Sequence, residues 1–201
     1  MPVDTVANVV TSIGFVLYLF MLCLVLALLE IEIEGSDGWA AALPTWRFEP
    51  PWLLRLTSGK AITGYHLWLN LLLGIWLHLT FFFTPWTPSG ELVIGGTYFF
   101  MAVQWDFLWF VLNPHFGIGK FSKKYIPWFR YWLVGFPRDY YVGLACSLGL
   151  WLLAAAIQGT PLSGRASSWF RCLLWLSLLT VCMIIIVHVL RWAGLGTRKN
   201  R

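Results

Sequence analysis

The chain has 201 residues, of which 59% are hydrophobic and 11% charged, and its mean hydropathy is +0.71. A soluble domain of this size cannot bury that much apolar surface, so a water-soluble globular fold is excluded and lipid is expected to cover the remainder. The net charge of +5 does not mark a nucleic-acid partner, because the positive residues fall between and after apolar runs, where they act as orientation signals.

Several apolar runs reach the roughly 18 residues needed to cross a hydrocarbon core. They predict an all-α, polytopic transmembrane helical bundle in a single domain, with about five spanning helices. Continuous runs, rather than alternation in segments of about ten residues, exclude a barrel. The first span is predicted at residues 8–29, stopping at the acidic alternation Glu30, Glu32, Glu34 before Gly35. It has no preceding Lys or Arg and no small-residue cleavage site, so it reads as a retained helix. The loop at 35–61 holds Trp39, Trp46 and Trp52 among prolines and glycines, which suits the headgroup level of a membrane.

The second span is predicted at 62–83 and is closed by Pro85 and Pro88. A short turn containing Glu91 leads to the third, at 93–112, which ends at Asn113-Pro114. Residues 120–137, K-F-S-K-K-Y-I-P-W-F-R-Y-W-L-V-G-F-P, mix aromatics with Lys120, Lys123, Lys124 and Arg130 and form a second aromatic-rich interfacial loop. The fourth span is predicted at 140–157 and the fifth at 168–190. Cys23, Cys146, Cys172 and Cys182 all lie within apolar runs, which argues against a disulfide framework and a zinc knuckle.

Five spans put Arg47, Arg55, Lys60, Lys120, Lys123, Lys124, Arg130, Arg138, Arg191, Arg198, Lys199 and Arg201 on one side, and only Arg165 and Arg171 on the other. By the positive-inside rule the chain is then a multi-pass protein of the cell (inner) membrane, with its N-terminus outside and its C-terminus in the cytoplasm.

Polar groups within apolar spans carry the functional signal, since an Asp at a helix centre costs about 2.5 to 3.5 kcal/mol on insertion scales. Asp106 lies inside the third span. His66 is about one turn into the second, Glu30 and Glu34 share one helical face at the end of the first, and Asn113 and His115 close the third. All are expected in the cytoplasmic half of the bilayer. Carboxylates with imidazoles serve general acid–base catalysis, which nominates Asp106, His66 and Glu34 as catalytic. They also suit a divalent metal, for which His115 and Glu30 are candidate ligands. Structural glue and a ligand pocket without chemistry remain alternatives. His66 and His188 also lie at similar depth, as a b-type haem would require. His78, with no depth-matched His, reads as glue between helices.

The blocks E-I-E-G-S-D-G-W-A-A-A-L-P-T-W (Glu32 to Trp46) and Q-W-D-F-L-W-F-V-L-N-P-H-F-G (Gln104 to Gly117) resemble those of a family of small bacterial polytopic integral membrane proteins of uncharacterised activity. The resemblance implies that the Glu34 turn and the Asp106 to Asn113 helix end carry the family signature, and it implies no reaction. Two functions follow from the residues. One is an enzyme or binding protein for a lipid or isoprenoid-like apolar molecule, with the aromatic loops as lids. The other is a non-enzymatic membrane subunit or assembly factor that meets membrane lipids or a partner through its basic loop.

Overall fold

The computed structural model describes residues 12–194. Residues 8–11 of the predicted first span, and the tail cations Arg198, Lys199 and Arg201, lie outside them. Among the described residues the fold is helical, with six α-helices and two minimal hairpin ladders.

Helix α1, Ile13–Glu34, starts where Ser12 Oγ accepts from Phe15 N–H at 3.1 Å and ends where Gly35, at φ 63°, donates its N–H to Ile31 O. It does not stop at Leu29. The helix runs on through the acidic turn because Glu30 and Glu34, one turn apart, both point into the bundle and are buried rather than hydrated.

The loop that follows contains regular structure. Strand β1 (Arg47–Phe48) pairs antiparallel with β2 (Ile62–Thr63), Arg47 opposite Thr63. The short helix α2, Pro51–Leu56, lies between them with Pro51 in its first turn, where the missing N–H is no loss. Helix α3, Gly64–His78, is capped by Thr63 and tightens into a 3-10 turn at Leu79–Phe82. Helix α4, Pro88–Leu112, is capped by Thr87, and α5 and α6 span Arg138–Gln158 and Leu162–Trp192. Between α4 and α5 the chain forms the hairpin β3 (Trp132–Leu133) and β4 (Phe136–Pro137). Its turn places Val134 and Gly135 at φ 43° and 84°.

Among the described residues, four helical segments are long and apolar enough to cross a membrane: α1, α3 with its 3-10 extension, α5 and α6. The third predicted span, α4, is absent from that set, and its packing explains why. It is the axis of the bundle, packed mainly on α5 and also on α1, α6 and α3. Shielded on several sides, it carries Thr97, Gln104 and Asp106, groups a lipid-facing helix would expose at cost. The outer helices show the converse: α3 turns Trp68, Leu72 and Ile75 outward, and α6 does the same with Phe170, Leu174 and Ile185.

Close approach of α4 and α5 rests on small residues. A Cβ on Gly96 would lie 2.4 Å from Trp151 Cδ1, and one on Gly143 would lie 2.7 Å from Val103 Cγ2. The core continues beyond the helices, because Ile126 and Phe129 of the 113–137 loop are buried with Phe110 of α4. That loop therefore folds onto one end of the bundle.

Candidate functional site

The C-terminal ends of α1 and α4 meet the N-terminal ends of α3 and α5 at this end. Two turns of α1 supply Glu30 and Glu34, while Trp39 and Ala40 follow in left-handed conformation, at φ 57° and 53°. That conformation is uncommon for residues with a Cβ. It is held because Ala40 N–H donates to Glu34 Oε1 at 2.6 Å and Arg47 donates to the Ala40 carbonyl. The turn brings Trp39 face to face with His66, ring centroids 4.3 Å apart at 20°, and the indole N–H is fixed by Ala61 O at 2.8 Å.

His66 sits in the first turn of α3, where Thr63 both caps the helix and contacts the ring, with Oγ1 2.7 Å from Nδ1. The other ring nitrogen, Nε2, faces α1, 3.9 Å from Glu30 Oε1 and 3.7 Å from Glu34 Oε1. One ligand atom from each of the three residues lies within 4.8 Å of the others.

Asp106 of α4 accepts a hydrogen bond from the buried Tyr140 hydroxyl in the first turn of α5. A second network stands beside it. Asp139 takes Lys60 Nζ at 2.7 Å and Ser58 Oγ at 2.7 Å, and Arg138 donates to the same Ser58 oxygen. Lys60 also stands over the Phe129 and Trp39 rings, 4.1 and 4.7 Å from their centroids.

These groups line one cavity of about 630 Å³, a volume suited to a small molecule. Its floor is polar, with Glu30, Glu34, His66 and Asp106, and its back wall is Tyr98, Phe99, Ala102 and Val103 of α4. Leu67 of α3 and Val142 of α5 flank it. Both are exposed, at 44% and 52%, as are Leu56 of α2 and Phe99 of α4, at 73% and 37%, so the exposed part of the lining is apolar.

Of the residues singled out from sequence, Glu30, Glu34, His66 and Asp106 line this cavity. His115 does not. Buried Asn113 takes the inward position, bonding Gly35 O and the His115 backbone N–H, and Pro114 and His115 turn out to solvent. His188 is exposed on α6 and is not among the residues that line the cavity with His66. His78 is joined at the far end of the bundle to Glu91, Nε2 to Oε1 2.6 Å.

Sequence reasoning missed Tyr140, Lys60, Asp139, Trp39 and Thr63 as members of the site. Lys60 entered it only as an orientation charge, although its place directly before a span, like that of Arg138-Asp139-Tyr140, was a signal available to it. Comparison of the chain with protein-family models, with curated proteins and with solved structures finds no match in any of the three.

Proposed function

We propose that this chain is a five-span membrane protein whose cavity binds an amphipathic lipid or isoprenoid-like molecule at the cytoplasmic leaflet and acts on its polar end by acid–base chemistry. The observation that carries the reading is the cavity itself, whose buried lining includes Glu30, Glu34 and Asp106 and whose exposed lining, Leu56, Leu67, Phe99 and Val142, is apolar. An amphipathic guest sliding in from the bilayer would put its polar group against Glu30, Glu34, His66 and Asp106. Its chain would lie along Phe99, Ala102 and Val103.

In this reading α4 is the fifth span, hidden from a hydropathy criterion by its central position. The N-terminus is outside and the C-terminus cytoplasmic, as the distribution of Lys and Arg directs. The Tyr140–Asp106 hydrogen bond holds the Asp106 carboxylate in place as the acid–base group of this end. His66, held by Thr63 and Trp39, turns its other ring nitrogen toward Glu30 and Glu34 at the same polar end. The two loops that fold over this end, through Trp39 and Phe129, exclude water from the reacting group.

The test is lipid extraction and mass spectrometry of the purified protein, alongside the variants Ala102→Phe and Val142→Trp, which enlarge apolar lining residues of the cavity and leave its acidic groups and His66 in place. A specific apolar molecule retained by the wild type and lost from both variants is the expected result. Absence of any retained molecule, together with a stoichiometric co-purifying protein, would overturn it in favour of a non-enzymatic subunit that docks through its exposed basic loop residues Lys123, Lys124 and Arg130.

A further inference from the structure

We infer that Glu30, Glu34 and His66 are the protein ligands of one divalent first-row transition-metal ion whose remaining coordination positions face the cavity.

The spacing is the first reason. The separations of 3.9 and 3.7 Å from His66 Nε2 to the two carboxylates are too long for hydrogen bonds. They are close to the roughly 3.4 Å expected between two atoms that each lie about 2.1 Å from a tetrahedral ion. The three groups therefore surround a space of ionic size without satisfying one another.

Charge is the second. The cavity is lined by four carboxylates, Glu30, Glu34, Asp106 and Asp139, against only Lys60 and Arg138. Lys60 is paired with Asp139, which leaves the Glu30, Glu34 and Asp106 end acidic and shielded from solvent. Buried charges require compensation, and a divalent cation beside Glu30 and Glu34 provides it. The buried Trp105 indole N–H, 6% exposed, belongs to the same lining and is directed at Glu30. It supports the Glu30 carboxylate in that position, as a partner of a ligating carboxylate would.

Orientation is the third. Thr63 Oγ1, 2.7 Å from His66 Nδ1, also accepts from the backbone N–H of His66; with Nδ1 as the donor to it, the Nε2 lone pair points at the carboxylates. Partners of this kind fix ligating histidines in metal sites. Ala40 N–H does the same for Glu34. Asp106 is not counted as a ligand, because its hydrogen bond goes to Tyr140. An imidazole with two carboxylates favours manganese, iron or zinc over magnesium or calcium, and three protein ligands with open positions mark a reactive rather than a structural centre.

Mn²⁺ is the probe. Full-length protein in detergent, stripped by chelator, is titrated with Mn²⁺ and followed by loss of the free-ion resonance. The bound ion is then examined for nitrogen modulation from imidazole. One equivalent per chain is expected, with the modulation persisting in a variant lacking His78, His115 and His188. His66→Ala should lose the modulation, and Glu30→Gln with Glu34→Gln should bind about 100-fold more weakly. Thr63→Val keeps every ligand and should weaken binding about 10- to 100-fold. Less than a tenth of an equivalent bound by wild type overturns the assignment, as does an unchanged affinity in His66→Ala. Where ligand variants do not fold, the modulation in wild type and in the triple-histidine variant decides. The assignment stands apart from the lipid reading: metal uptake with no retained apolar molecule removes the proposed guest and leaves the ion.

Discussion

Tyr140→Phe removes one oxygen and little else, because the ring contacts of Tyr140 with Phe107, Phe129 and Phe136 survive in phenylalanine. What disappears is the hydrogen bond to Asp106. In soluble proteins a bond to a charged group is worth about 1.5 to 3 kcal/mol. Between membrane helices measured bonds average about 0.6 and reach about 1.7 kcal/mol. The cavity decides between these ranges. Asp106 lines a space of about 630 Å³, so a water can replace the lost phenol and relieve part of the penalty. The expected cost is about 1.5 kcal/mol, at the top of the membrane range, or roughly twelvefold in the unfolding equilibrium. Reversible unfolding in mixed micelles, followed by tryptophan fluorescence, reads this directly. A cycle with Asp106→Ala should show coupling of about 1 kcal/mol. A cost and a coupling both under about 0.3 kcal/mol would refute the reasoning, since the two groups would then be separately solvated.

Other outcomes follow from the packing and the charge pattern. Gly96→Ala drives a methyl against Trp151 and the Ser147 carbonyl and should destabilise by about 1 to 3 kcal/mol; Gly95→Ala, whose new Cβ would be 3.6 Å from Leu150 Cδ1, should instead stabilise by up to about 1 kcal/mol through helix propensity. The same unfolding assay separates them, and equal effects would contradict the α4–α5 interface. Asp106→Asn should leave membrane insertion intact, because losing a charge cannot hinder partitioning, while abolishing activity or retention of the guest; a fractionation showing failed insertion would contradict this. Glu91→Gln breaks the exposed pair with His78 and should cost less than about 1 kcal/mol, so a larger loss of stability would show that this end is less exposed than described. A reporter fused after Arg201 should be active only on the cytoplasmic side and one placed at 84–90 only outside, and equal signals from both would sink the five-span topology.

The helices were legible because apolar run length is a direct consequence of what the chain must be dissolved in. Their ends were less so. Glu30 and Glu34 look like a stop signal when each carboxylate is judged alone, whereas the helix continues because both turn inward to meet His66. The one-face relation of Glu30 and Glu34 was readable from their spacing, and His66 from its depth. The partnership of Asp106 with Tyr140 was not, since it depends on how α4 crosses α5, which no local pattern encodes. Trp39 and Ala40 were equally hidden: left-handed backbone at residues with a Cβ leaves no compositional trace. His115 was misplaced for a physical reason, because buried Asn113 fills the inward position at the helix end and leaves the chain after it turned to solvent.

The low hydropathy of α4 and the location of the site have one cause. A helix that faces lipid on every side can hold no carboxylate without cost, so a polar site inside a bilayer needs a helix surrounded by others. Here α1, α3, α5 and α6 pack around α4, and the space left between α3 and α5 is where Ala102 and Val103 of α4 line the cavity. Asp106, one turn further along, lies at the polar end of that opening and not on the outer surface of the bundle. The polar floor is completed by Glu30 and Glu34 from the end of α1 and His66 from the start of α3, where both chain ends are tied by the Glu34–Ala40 and Thr63–His66 contacts. Loosening either tie should disturb the floor before it disturbs the bundle, because neither tie contributes to the α4–α5 packing that holds the helices together.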